Sequence, residues 1–288
     1  KIIQIDADGK MLGLVKPISV GINGDAKEAA AALLAKLKTR DVACIKNKAE
    51  RDTTIKGEKA TWEEELTSWT HEKDPYSIDM IKDSKAMHPR EMLRAIENAL
   101  PKNSIVSTDI GNICSVSNSY LRFDEPRSML AAMSFGNCGY AFPVAVGAKI
   151  ASPNRPVFAY VGDGAWGISL NELLTCAREK IGVTVILFNN GQWGAEKKNH
   201  VDFYSRRYQG VELVNPSWAA VAKSFGCEGV TVDKVGDIGA AIQAAVKNQA
   251  EGKTTVIEMM VTKELGDPFR RDALSKPVRH LDKYKSFV

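Results

Sequence analysis

Three stretches of this chain, PVFAYVGDG (156–164), VTVILFNN (183–190) and TTVIEMMV (254–261), are nearly unbroken apolar runs. A strand with one wet face alternates apolar and polar residues, whereas a strand buried on both faces does not. Between and beside these runs lie segments with helical character: ISLNELLTCAREK (168–180), WAAVAKSFG (218–226) and DIGAAIQAAVKNQ (237–249). Upstream, PREMLRAIENAL (89–100) carries a proline suited to a first helical turn, and FPVAVGAKIA (142–151) is a small-residue helix. SIVSTDIG (104–111) and GVTVD (229–233) read as further strands. This alternation predicts an α/β fold, a doubly wound parallel sheet covered by helices on both faces. Ligands of such sheets bind beyond the carboxyl ends of the strands. GDG and NNG both stand at such ends.

The domain organisation expected from composition is fourfold. Residues 1–44 (strand KIIQID, short strand ISVGI, then a helix after Asp25) resemble the tail of a second α/β domain. Residues 45–87 are charged and weakly apolar, as in a linker with a solvent-facing helix. The parallel-sheet domain takes 88–265, and 266–288 form a basic extension. The opening KIIQID lacks a methionine and looks like the interior of a strand, so a processed or cut chain is expected. At 288 residues with 44% apolar content there is ample core. No apolar run reaches the roughly 18 residues that span a bilayer, and no membrane partner is expected. A net charge of +4, dispersed along the chain, gives no footprint for nucleic acid. The five cysteines are odd in number, scattered and without a C-x-x-C pair, which favours free thiols in a reducing cytoplasm over disulfides or zinc.

GDGAWG (162–167) is literally G-x-G-x-x-G between a strand and a helix, so a dinucleotide site has to be weighed first. That fingerprint wants an acidic residue at the tip of the next strand, where this chain has Asn189-Asn190. It also leaves no place for Asp163, since a carboxylate beside a pyrophosphate is repulsive unless a cation lies between them. With a divalent cation each residue finds a task. Asp163 supplies an anionic oxygen, Asn190 an amide oxygen, and the chain turning at Gly191 a main-chain carbonyl placed at Gln192. Two phosphate oxygens and a water complete the octahedron that Mg²⁺ demands. The glycines let backbone approach the phosphates at a helix N-terminus. Alone, Asp163 reads as a helix cap and the asparagines as a turn. Separated by 24 residues, one helix plus one strand, the two tips land side by side.

GDG followed at this spacing by NN resembles the thiamin diphosphate motif. NNGQWGAEKKN, VDFYSRRY, MSFGNCGYAFP and ELGDPFRRDALSKPVRHLDKYK extend the likeness over nearly the whole chain. They resemble the acetolactate synthase and pyruvate oxidase family of thiamin diphosphate enzymes, and within it the branch that acts on sulfoacetaldehyde. The resemblance implies that 88–265 is the pyrophosphate-binding domain, that 1–44 end the central domain, and that an N-terminal pyrimidine-binding domain is missing. The family's cofactor-activating glutamate lies in that missing domain, so no catalytic residue is assigned in this chain. Carried over by position, Gly111, Asn112 and Ile113 hold the diphosphate from one side. Gly136 and Cys138 face the aminopyrimidine, with Cys138 standing where relatives usually place a bulkier apolar residue. Asp163, Gly164 and Ala165 contact metal and diphosphate, and Asn190, Gln192, Trp193, Gly194 and Ala195 form the second strand-end loop. The metal ligands are then Asp163, Asn190 and Gln192.

The implied reaction converts sulfoacetaldehyde and phosphate to acetyl phosphate and sulfite, with thiamin diphosphate and Mg²⁺ as cofactors. A 2-oxo acid synthase or decarboxylase is the alternative in the same family. A cofactor-binding subunit, inactive without a pyrimidine-domain partner, is another. The family places its site between subunits, so a homodimer or homotetramer is expected. Both substrates are small anions, and arginine forks suit tetrahedral oxyanions. Lys197, Arg206, Arg207, Arg270 and Arg271 are the candidate cations. Of the histidines, His200 is expected as an exposed loop residue, and His71, His88 and His280 as structural. Trp166 and Trp193 are expected to pack, the latter close to the cofactor loop.

Overall fold

The computed structural model describes residues 1–40, 48–69 and 85–263. Arg270, Arg271 and the basic extension 266–288 lie outside the described residues, as do Cys44, His71 and His280. The chain divides into two compact units, Lys1–Glu63 and a second beginning at Glu64, a division that falls within the charged 45–87 stretch.

In the first unit, β1 (Ile3–Asp6) and β2 (Val20–Asn23) pair in parallel from Ile3↔Val20 to Asp6↔Asn23. Helix α1 (Ala26–Lys38) follows, opened by the Asp25 carboxylate, which accepts from the Lys27 and Glu28 N–H groups. Helix α2 (Lys48–Trp69) exposes most of its residues and has no sustained apolar stripe. Its last turn belongs to the second unit, where Leu66 is buried.

The second unit contains α3 (Pro89–Ala99), β3 (Ile105–Thr108), α4 (Asn112–Ser117), β4 (Met129–Ala131), α5 (Ala141–Ala151) and β5 (Val157–Gly162). It continues with α6 (Asp163–Ser169), α7 (Glu172–Glu179), β6 (Thr184–Asn189), α8 (Gly194–Phe203) and α9 (Trp218–Ser224). β7 (Glu228–Val232), α10 (Ile238–Ala250) and β8 (Thr255–Met260) complete it. The six strands β3–β8 form one parallel sheet in the order β4-β3-β5-β6-β8-β7.

The apolar runs are explained by two cores, one on each face. Phe158, Tyr160, Ile186, Phe188, Ile257 and Met259 point to a core closed by α3, α4 and α10 through Met92, Ile96, Ile113, Ile238 and Ile242. Val157, Ala159, Val161, Val185, Leu187 and Val256 point to the other, closed by α5, α6, α7 and α9 through Phe142, Trp166, Leu173 and Trp218. Successive residues therefore leave water in opposite directions, which is why alternation is missing. The doubly wound sheet expected from the pattern is present. The single helix expected over 168–180 is instead two, because α6 starts at Asp163 itself and ends before Asn171, the cap residue of α7.

One polar residue interrupts the apolar order of the central strands. Glu258 on β8 is 3% exposed and meets the N-terminus of α9. Its carboxylate accepts from the Trp218 N–H (3.2 Å) and the Ala219 N–H (3.1 Å). It also accepts from Ser217 Oγ (3.4 Å), Thr231 Oγ1 (3.0 Å) and Asn189 Nδ2 (2.8 Å). A negative charge at a helix N-terminus is favourable, and here it also joins three strands and a helix. Glu258→Leu would strand these donors and should lower stability by about 3 kcal/mol or more, read as a fall in the urea unfolding midpoint. Glu258→Gln, which keeps part of the acceptor capacity, should cost less.

Candidate cofactor site

The tips of β3, β5 and β6 face one cleft. Register places Gly162 opposite Phe188, so Asp163 and Asn190 follow on neighbouring strand ends. Both line the cleft, together with Gly111, Asn112 and Ile113 after β3, Gly164 and Ala165 after β5, and Gln192, Trp193, Gly194 and Ala195 after β6. Gly136 and Cys138, from the loop before α5, line it too. Helices α4, α6 and α8 all begin at its rim, at Asn112, Asp163 and Gly194. Each start presents N–H groups without intrahelical partners, which makes the rim electropositive and suited to phosphate.

Two glycines shape the cleft by what they lack. Gly191 has φ 63°, the left-handed region that turns the chain away from β6. At Gly164 a Cβ would lie 2.7–2.8 Å from the indole ring of Trp193, so that ring rests directly on bare backbone.

Asp163 is 3% exposed. Its Oδ1 accepts from the Gly164 N–H at 3.0 Å, and its Oδ2 from the Gly191 N–H and Asn215 Nδ2, both at 2.7 Å. Burial raises its pKa above the usual carboxylate range, although the hydrogen bonds from Asn215, Gly191, Gly164 and Gln192 pull the other way. A cation at the carboxylate would offset that burial. Asn190 is 8% exposed, and among the described residues its side chain has no hydrogen-bond partner, so its amide oxygen is available to a ligand. The Gln192 side chain is committed: Nε2 donates to the Lys263 carbonyl, and Oε1 accepts from Lys197 Nζ, both at 3.0 Å. Its main chain is what remains for a bound ion. No group of three or more His, Cys, Asp or Glu that could hold a metal ion occurs among the described residues. One carboxylate, one amide and main-chain carbonyls form a hard oxygen set, and with diphosphate oxygens they fit Mg²⁺.

The candidate cations are arranged differently. Lys197 is 2% exposed, pairs with Glu212 (2.5 Å) and lies 5.2 Å from the Tyr208 ring centroid. Lys263 holds the other Glu212 oxygen at 2.6 Å. Arg206 and Arg207 are exposed in the turn after α8, where Arg207 Nε donates to the Tyr204 carbonyl at 3.1 Å. None of these four basic residues lines the cleft. His200 is not an exposed loop residue: it belongs to α8, its Nδ1 is buried, and its ring contacts those of Tyr204 and Tyr208. His88 occupies the position ahead of Pro89 at the start of α3. Trp166 is fully buried against Phe142.

Three polar residues, Asn215, Asp109 and Glu258, escaped the sequence reasoning, and Asn189 was read only as half of the strand-end pair. Asn215 and Asn189 are hydrogen-bonded to each other (2.9 Å), linking Asp163 to Glu258. Asp109, 2% exposed at the tip of β3, accepts from the Ile110, Tyr140 and Ala141 N–H groups and so fastens the loop carrying Gly136 and Cys138 to that tip. An aspartate ending an apolar strand, as in STDIG, was a usable signal for Asp109. Nothing in the order of residues connects Asn215 or Glu258 to Asp163.

The four cysteines among the described residues show no reactive environment. Burial pushes the Cys114 thiol far above its ordinary range, and Cys138 rises through burial and the nearby Asp109 carboxylate. Burial takes Cys176 and Cys227 up to about 11. At pH 7 their thiolate fractions then fall about 100-fold below that of an ordinary thiol. Iodoacetamide should label these four slowly in the native protein and fully after denaturation, with native rates climbing as the pH is raised.

Comparison with known proteins agrees with the cleft. The family described as thiamine pyrophosphate enzyme, C-terminal TPP binding domain, matches residues 109–259. A sulfoacetaldehyde acetyltransferase of Castellaniella defragrans is 57% identical over 294 residues, covering 100% of this chain and 49% of that protein. One from Alcaligenes xylosoxydans xylosoxydans is 59% identical over 298 residues, again covering 100% and 49%. The chain thus spans about half the length of the curated relatives it matches. Among solved structures, a thiamine diphosphate-dependent 4-hydroxybenzoylformate decarboxylase of Rhodococcus jostii RHA1 aligns with a TM-score of 0.57 at 25% identity, covering 62% of this chain and 33% of that one. With its parallel sheet, its cleft at the tips of β3, β5 and β6, and a family match over more than half its length, the chain belongs to the C-terminal TPP-binding domains of thiamine pyrophosphate enzymes.

Proposed function

We propose that the protein carrying this chain converts sulfoacetaldehyde and phosphate to acetyl phosphate and sulfite, using thiamin diphosphate and Mg²⁺. The observation that carries the proposal is identity of 57% and 59% along the full length of the chain to two enzymes named for acetyl transfer from sulfoacetaldehyde. When bound, the cofactor supplies a nucleophilic carbon and an electron sink for cleavage next to the aldehyde.

This chain's residues hold and orient. Asp163, Asn190 and the main chain of Gln192 bind the metal. The N–H groups at the starts of α4, α6 and α8 take the diphosphate, with bare backbone at Gly164 allowing close approach. The loop with Gly136 and Cys138, which lines the cleft, would face the aminopyrimidine. The glutamate that activates the aminopyrimidine comes from another segment or subunit, as expected of a homodimer or homotetramer. Arg206, Arg207, Arg270 and Arg271 are proposed to receive sulfonate and phosphate. Lys197, already neutralised by Glu212, contributes by holding the Gln192 side chain. No helix among the described residues is long and apolar enough to cross a membrane. The unpaired state of Cys114, Cys138, Cys176 and Cys227 supports a cytoplasmic setting.

The test is sulfite and acetyl phosphate formation by the full-length protein with sulfoacetaldehyde, phosphate, cofactor and Mg²⁺. Turnover of 2-oxo acids without sulfite release would overturn the proposal in favour of a synthase or decarboxylase. Asp163→Ala should weaken Mg²⁺-dependent cofactor binding by about 100-fold or more, measured by calorimetry, because it removes the anionic ligand outright.

A further inference from the structure

We infer that Asn215 is a positioning residue for the metal-binding carboxylate: it determines which Asp163 oxygen a bound cation meets, and thereby favours a small ion over a larger one. The inference rests on the proposed role of Asp163 as a Mg²⁺ ligand.

The hydrogen bonds around Asp163 are unequal. Oδ2 takes two short bonds, from the Gly191 N–H and from Asn215 Nδ2, each 2.7 Å. Oδ1 takes a 3.0 Å bond from the adjacent Gly164 N–H. A carboxylate oxygen offers about two lone-pair directions. Oδ2 is therefore the more fully engaged oxygen, while Oδ1 accepts the one bond from Gly164 and the Gln192 N–H also acts on the carboxylate.

The orientation of Asn215 is itself dictated from outside the cleft. Glu258 accepts hydrogen bonds from two main-chain N–H groups of α9, so it faces Asn189 as an acceptor. It receives the Asn189 NH₂ group at 2.8 Å. That leaves the Asn189 carbonyl oxygen pointing to Asn215, whose NH₂ group meets it at 2.9 Å. The same NH₂ group then supplies the donor to Asp163 Oδ2. The donor–acceptor order of the chain Glu258–Asn189–Asn215–Asp163 admits no amide flip without breaking a bond at each end. Pro216 follows Asn215, and Ser217 caps α9. The carboxamide is thus anchored to the start of a helix that Glu258 also holds.

A carboxylate with one oxygen held by two short hydrogen bonds presents chiefly the other to an ion and favours monodentate binding. Mg²⁺ requires a compact octahedron, whereas Ca²⁺ accepts bidentate carboxylates and higher coordination. Without Asn215 the Asp163 carboxylate gains freedom to offer both oxygens, which penalises Mg²⁺ more than Ca²⁺.

The experiment uses the full-length protein freed of cofactor. Thiamin diphosphate binding is followed by intrinsic fluorescence, with Trp193 in the cleft, while Mg²⁺ or Ca²⁺ is titrated. In Asn215→Ala the half-saturating Mg²⁺ should rise about 10–100-fold, and that for Ca²⁺ by clearly less, shifting the Mg²⁺/Ca²⁺ ratio at least about 3-fold. Equal factors for both ions, or no change in either, would overturn the positioning role. Should Asn215→Ala lack a ligand-free melting transition, Asn189→Ala decides by the same ratio: a shift toward Ca²⁺ supports the inference and an unchanged ratio overturns it. If the unaltered protein binds no cofactor with either metal, the proposed function falls first, an outcome visible before any variant is compared.

Discussion

The hydrogen-bonded ladder between β5 and β6 is the constraint on which the cleft depends. It holds Gly162 opposite Phe188, so Asp163 after one strand and Asn190 after the other, one position further along, reach the same cleft. A slip of one residue in a parallel pair would send one of them to the far face of the sheet. Register is kept by the apolar side chains beneath, because each central strand packs on both sides. The chemistry at the tips is therefore secured by packing that never touches it.

Electrostatics at the cleft point the same way. Asp163 is buried among N–H donors and helix starts, a setting that gathers positive potential around one negative group. Such a site is incomplete as a salt bridge and well matched to a dianionic diphosphate with a divalent cation between the two charges. The basic side chains close by follow a different logic. Glu212 ties Lys197 and Lys263 together, and Gln192 bridges the same two residues, so this cluster fastens the loop after β6 to the end of β8.

Much of this was legible before any coordinates. Two-faced strands announce themselves by missing alternation, and the interval from GDG to NN equals one crossover. What was not legible falls into two kinds. Elements such as β4 and α4 are too short to carry a periodic signal. α8 has apolar residues on no single face and reads as loop, which misled the placement of His200.

The sequence by itself determined the parallel α/β architecture, the two strand-end motifs, and the presence of a lone acidic residue among glycines. Those features are local, since periodicity and spacing are properties of neighbours along a chain. The tertiary structure decided that Asn215, 52 residues beyond Asp163, donates to its carboxylate, and that Glu258, still further on, dictates the direction of that donation. It likewise decided that Lys197 turns inward to Glu212. Hydrogen-bond polarity depends on which groups meet in space, and only the packed sheet brings these together.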